Sequence, residues 1–107
     1  HEKAYLNAYT YYKTGKYKSA IVAFKNALKQ YPESKRREEI MYLIVDSGYR
    51  LASNSISEKQ TDRYLSMLDS YLSFKEEFPE STHIKSLDRM AQQARDYLDR
   101  NNKDNNI

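Results

Sequence analysis

A four-residue string, Tyr31-Pro32-Glu33-Ser34, returns as Phe78-Pro79-Glu80-Ser81, 47 residues further along the chain. A sequence that repeats itself at a period of this order must build stacked supersecondary units, because one unit alone cannot bury its apolar face. The register holds upstream of the string. At the same offset Tyr17 falls on Tyr64, Ile21 on Leu68 and Phe24 on Tyr71, each keeping its character, while Leu28 falls on Lys75. Proline lacks an amide donor and pushes the residue before it out of the helical region. Each copy of the string therefore marks the end of a helix.

The segments between these marks carry helical periodicity. Tyr17, Ala20, Ile21, Phe24, Ala27, Leu28 and Tyr31 recur every three or four residues, as one face of a helix does. A second such stripe joins Tyr64, Met67, Leu68, Tyr71, Leu72, Phe74 and Phe78, and a third joins Ile84, Leu87, Met90, Ala91, Ala94, Tyr97 and Leu98. Only 2 Gly and 2 Pro occur in 107 residues, too few for the turns of an all-β fold. The pattern predicts five helices: about 2–14, ended by Gly15; about 17–31, ended by Pro32; about 35–52; about 62–78, ended by Pro79; and about 82–100. A loop is predicted over 53–61, where Ser-Asn-Ser and further polar residues interrupt the apolar stripe. The segment 101–107 is polar and aperiodic, which predicts a disordered tail.

Residues 1–34 fit the tetratricopeptide (TPR) pattern W-x2-L-G-x2-Y…A-x3-F…P in register. Tyr11 takes the tyrosine, Ala20 the alanine, Phe24 the phenylalanine and Pro32 the proline, with small Ala8 in place of the glycine. Ala4 and Asn7 replace the Trp and Leu. On this reading Tyr11 and Phe24 fill the space around the close-packed alanines. The fold class is all-α: a TPR-like α-solenoid fragment of two helical hairpins plus a C-terminal capping helix. The domain spans 1–100, with one repeat at 1–34, an extended repeat at 35–81 and the cap at 82–100.

The strings YYKTGKYKSAIVAFKNALKQYPES and REEIMYLIVDSGYRLASNS resemble the C-terminal TPR repeats of the BamD-like family, the TPR lipoproteins of the outer-membrane β-barrel assembly machinery. The string SEKQTDRYLSMLDSYLSFKEEFPES is similar to the Bacteroidetes type. The resemblance implies a non-catalytic, lipid-anchored scaffold on the periplasmic side of the bacterial outer membrane. Its implied partners are the POTRA domains of the barrel-forming subunit and other assembly lipoproteins. The first residue is His1 rather than Met, which predicts an excised or processed piece of a longer chain, with any targeting signal lying upstream; a lipidated Cys there is what the resemblance implies. Another periplasmic TPR adaptor of the cell envelope is the alternative within the same class.

No catalytic constellation, Gly-rich phosphate loop or cofactor motif appears in the sequence. The absence of Cys excludes disulfides and thiolate metal sites. Glu80 and His83 have a spacing that metal ligands use, but nothing nearby completes a four-ligand set. No enzymatic activity, cofactor or metal is therefore expected.

Charge is uneven. Residues 1–50 carry 10 Lys/Arg against 5 Asp/Glu, and residues 51–107 carry 8 against 10. Two partner-binding surfaces follow. One is a basic patch of Lys25, Lys29, Arg36 and Arg37, in which the arginines stand at a helix start where the dipole disfavours them. Either an external acidic partner or pairing with Glu33, Glu38 or Glu39 accounts for them. The other surface is Tyr5, Tyr9 and Tyr12, placed on a different side of the first helix from Ala4, Ala8 and Tyr11 and expected to be exposed in this piece. Nucleic acid is a poorer fit, since the aromatics of the basic stretch lie on the core-facing stripe and cannot stack on bases.

Overall fold

The computed structural model describes residues 2–105, with side chains described through Asn102. Five helices follow in order: α1 (Glu2–Lys13), α2 (Tyr17–Gln30), α3 (Arg37–Ser53), α4 (Ser57–Glu77) and α5 (Ile84–Asn105). The described residues contain no strand. The protein is all-α, and its consecutive helices pack side by side into an elongated array of 50 × 29 × 19 Å.

The turn after α1 is made by glycine. Gly15 sits at φ 78°, a left-handed conformation that costs an L side chain and is free for glycine. There the Lys16 amide bonds the Tyr11 carbonyl at 2.9 Å and the Gly15 amide bonds that of Tyr12 at 3.1 Å. These two bonds are the Schellman closure, which satisfies carbonyls the helix end would otherwise orphan.

The two proline junctions are built alike, bond for bond. Tyr31 N–H donates to the Ala27 carbonyl at 2.9 Å, and Phe78 N–H donates to that of Phe74 at 2.8 Å. Ser34 N–H reaches the Tyr31 carbonyl and Ser81 N–H that of Phe78, both at 3.1 Å. The serine hydroxyls then accept the amides of Arg36 and His83, again both at 3.1 Å. Serine two residues after proline thus opens the next helix in each copy.

Two apolar cores result. The first joins Tyr5 and Ala8 of α1, Ala20, Phe24 and Ala27 of α2, and Ile40, Leu43 and Ile44 of α3. The second joins Val45 and Ala52 of α3 to Tyr64, Met67, Tyr71 and Phe74 of α4 and Leu87, Ala91 and Ala94 of α5. Helix α3 belongs to both, and every residue from Leu43 to Gly48 is buried. A helix buried on opposite sides is central to its fold. At Gly48 a Cβ would stand 3.3 Å from that of Met67, so the missing side chain lets α3 and α4 come close.

Three expectations need correction. The break between α3 and α4 is Asn54–Ile56 rather than 53–61, because Ser57–Thr61 form the first turns of α4. Those residues are polar because that turn is solvated: Glu58 suits the helix N-terminus, and the Gln60 side chain bonds the Ala52 carbonyl at 3.0 Å. The tail is helical as far as Asn105, and residues 106–107 lie outside the described residues. Tyr11 does not fill the first core: it is 36% exposed, and Tyr5 takes that place at 6%.

Candidate functional site

The residues read as a tyrosine face line the inside of the array. Tyr5 is buried, and Tyr9 and Tyr12 are half-buried against the first core. Their rings form a ladder, with centroids 5.7 Å apart for Tyr5–Tyr9 and 5.8 Å for Tyr9–Tyr12. Burial, and then the nearby Glu39 carboxylate, push the Tyr5 phenol up to about 12. Tyr12 ends in a buried polar contact, its hydroxyl donating to Asp46 at 2.5 Å, and Arg50 donates to the same carboxylate oxygen at 2.8 Å. Burial and that bond hold the Tyr12 phenol above its ordinary value. Asp46 is 1% exposed, so the tyrosine and the arginine together neutralise and satisfy it. The expectation of an exposed tyrosine face is overturned for this reason. The spacing of Tyr5, Ala8 and Tyr12 was the usable signal, and it marks the core stripe of α1.

The basic patch divides in two. Arg36 forms a two-pronged pair with Glu2, its Nε and Nη2 at 2.6 and 3.0 Å from the two carboxylate oxygens, and a third bond to Glu39 at 2.9 Å. Its guanidinium also lies over the Tyr5 ring, 4.2 Å from the centroid. The Glu2 carboxyl is held below the ordinary glutamate value by the Arg36 hydrogen bond. Arg37 reaches Glu77 at the end of α4 through Nε at 2.5 Å and Nη2 at 2.9 Å, and bonds the Pro32 carbonyl at 3.1 Å. The same bond depresses the Glu77 carboxyl. The arginines at the start of α3 therefore have partners within the fold. Of the three carboxylates considered from sequence, Glu39 serves Arg36, while the others used, Glu2 and Glu77, lie 34 and 40 residues from their arginines. A planar guanidinium suits such fork-to-fork contacts.

Lys25 and Lys29 are exposed on α2 and make no ion pair among the described residues. Lys25 stands on the wall of a furrow between α2 and α4 that the sequence did not reveal. The basic side chains thus separate by role: the two arginines clamp helices together and the two lysines face solvent.

His83 stacks on Tyr42, with ring centroids 3.8 Å apart and planes 11° from parallel. No group of three or more His, Cys, Asp or Glu residues that could hold a metal ion occurs among the described residues. No helix among them is long and apolar enough to cross a membrane. The chain offers helix surfaces and shallow furrows, which suit contact with other macromolecules.

No curated protein matches the chain. One family model, YfiO, described as outer membrane lipoprotein, matches residues 1–103.

Proposed function

Because the chain belongs to the YfiO family of outer membrane lipoproteins, we propose that it is a non-catalytic, protein-interaction scaffold of the outer-membrane β-barrel assembly machinery. The observation that carries this reading is the family match over residues 1–103, nearly the whole chain. In it the helices form two TPR-like repeats, 1–34 and 35–81, closed by a capping helix from residue 82. The scaffold faces the periplasm and is held at the membrane by a lipid anchor upstream of this chain. The Bacteroidetes type is the best reading of the stretch Ser57–Ser81. The junctions support a rigid scaffold, since each proline turn is fixed by the same set of hydrogen bonds.

The partner is the periplasmic POTRA domains of the barrel-forming subunit. Among the residues proposed to contact it, Lys29 is exposed and has no ion partner within the described fold. Lys25, Arg36, Arg37, Tyr5, Tyr9 and Tyr12 are less direct tests of that contact. Arg36, Arg37 and Tyr12 hold helices together, Tyr5 and Tyr9 pack against the core, and Lys25 lies on the furrow. A calorimetric titration of the chain with the POTRA domains tests the reading. Saturable binding is expected, weakened at least tenfold, about 1.4 kcal/mol, by Lys29→Glu. A fully helical chain that shows no binding would overturn the scaffold assignment.

A further inference from the structure

Helices α2 and α4 flank α3 and leave a furrow above it. Two adjoining depressions, of about 290 and 220 Å³, share Lys25, Ile44 and Ser70 and so form one continuous groove. The floor is apolar: Met41 and Ile44 under one depression, Ile44 and Leu51 under the other, with Gly48 deepening it where a side chain is missing. Each depression is smaller than the roughly 300–1,000 Å³ of a small-molecule site and matches single apolar side chains of a protein segment.

The walls have a consistent chemistry. Lys18 and Lys25 line α2, and both are exposed without an ion pair among the described residues. Arg63 lines α4, and its one described hydrogen bond goes to the Ser55 hydroxyl at 2.5 Å, with no carboxylate in reach. Asp69 is the one acid on the lining of either depression, against these three cations. Elsewhere the fold neutralises its bridging cations, as with Arg36, Arg37, Arg50 and Lys75. The α4 wall also presents Ser66, Ser70 and Ser73 at helical spacing. Helical serine hydroxyls commonly bond the carbonyl four residues back, as Ser53 does to Tyr49 at 2.8 Å. Those of Ser66, Ser70 and Ser73 make no hydrogen bond among the described residues, so they are open to solvent or to a ligand.

From this charge complementarity we infer that the α2–α4 furrow is a docking site for an acidic amphipathic helix of a partner protein. Its apolar side chains seat in the two depressions, and its carboxylates meet Lys18, Lys25 and Arg63. Nucleic acid fits less well, because the furrow has an apolar floor and no aromatic side chain on which a base could stack. The inference stands independently of the proposed assembly role.

The test uses the intact chain and a short synthetic helical peptide rich in glutamate, with leucines one and two turns apart. Binding is followed by amide chemical shifts, and shifts clustering at Ile44, Gly48, Ser66 and Ser70 are expected. The double variant Lys18→Glu with Lys25→Glu should retain full helicity and weaken binding at least tenfold, and replacing the peptide's glutamates with glutamines should do the same. Undiminished affinity in the double variant, no shifts at saturating peptide, or shifts confined to another face would each overturn it. Sedimentation of the chain alone should give a monomer, and a dimer lost in the double variant would assign the furrow to a second copy instead. Anionic phospholipid vesicles that bind through the same two lysines, when the peptide does not, would also overturn it.

Discussion

The two proline junctions share their backbone geometry and differ in what fastens them. After the first, Arg36 and Arg37 reach carboxylates on α1 and α4, so charge pairs tie two helices to the start of α3. At the equivalent place after the second, His83 stacks flat on Tyr42 and Ser81 donates to Glu38 at 2.8 Å. In both, the side chain two residues after the serine lies on a tyrosine two helices back in the chain: Arg36, at the start of α3, over Tyr5 of α1, and His83, at the start of α5, on Tyr42 of α3. A further bond repeats one helix deeper. Tyr12 of α1 reaches Asp46 on α3, and Tyr49 of α3 reaches Gln93 on α5; the acceptors are 47 residues apart and the tyrosines 37, the difference lying between the helices that carry them. The repeat therefore conserves positions of contact while the chemistry at each position changes from ionic to neutral. Fold is specified by where side chains meet, and several kinds of contact serve there.

The largest effects should come from the two cores. Phe24 and Phe74 are each 0% exposed, one in each core, and truncating either to alanine should cost about 3–5 kcal/mol in chemical denaturation. If the halves are coupled, each variant shifts a single common transition. Two separate transitions would break the picture of one array.

The deeper contact should separate the two copies more clearly. Tyr12→Phe removes a donor from a buried carboxylate and should cost about 1–3 kcal/mol. Tyr49→Phe removes a bond to an exposed glutamine and should stay within about 0.5 kcal/mol. Equal losses would show that the two copies carry equal weight.

Acid should loosen the ion pairs of the first junction. Glu2 and Glu77 are held below the ordinary glutamate value of 4.5 by their arginines. Depressed carboxyls stabilise the fold above the unfolded value, and that contribution is lost as pH falls through the folded values. Carboxyl NMR titration should find both groups titrating below 4.5, with the Arg36 and Arg37 contacts fading in step. Titration of both groups at the ordinary value would remove the ionic account of that junction.

The smallest effect is expected at the furrow. Lys25→Ala should change stability by no more than about 0.5 kcal/mol, since the side chain is exposed and has no ion partner within the described fold. A loss as large as that of Phe24→Ala would mean the outer face of α2 is wrongly placed.

The helical class, the junctions and the core face of α2 were legible in the sequence, because apolar period and proline are local signals. Phe24, Ala20 and Ala27 are buried where the stripe put them. The face of α1 was misread because a family pattern centred on Tyr11 outweighed the plain spacing of Tyr5, Ala8 and Tyr12. The partners of Arg36 and Arg37 were out of reach for another reason. They come from helices 34 and 40 residues away, and no local rule brings Glu2 or Glu77 to the start of α3. The furrow was invisible for the same cause, since it exists only once α2 and α4 are both seated on α3.

That shared seat of α3 has a consequence for how the molecule opens. A helix that contributes to both cores couples them as neighbours in a one-dimensional row. Fluctuations that expose α1 or α5 cost one interface, while exposing α3 costs two. Amide protons of Leu43 to Gly48 should then be the last to exchange with solvent, and protection should fall away toward both ends of the chain. The array would thus fray like a short stack of plates held at its middle, keeping a folded centre while its outer helices come and go.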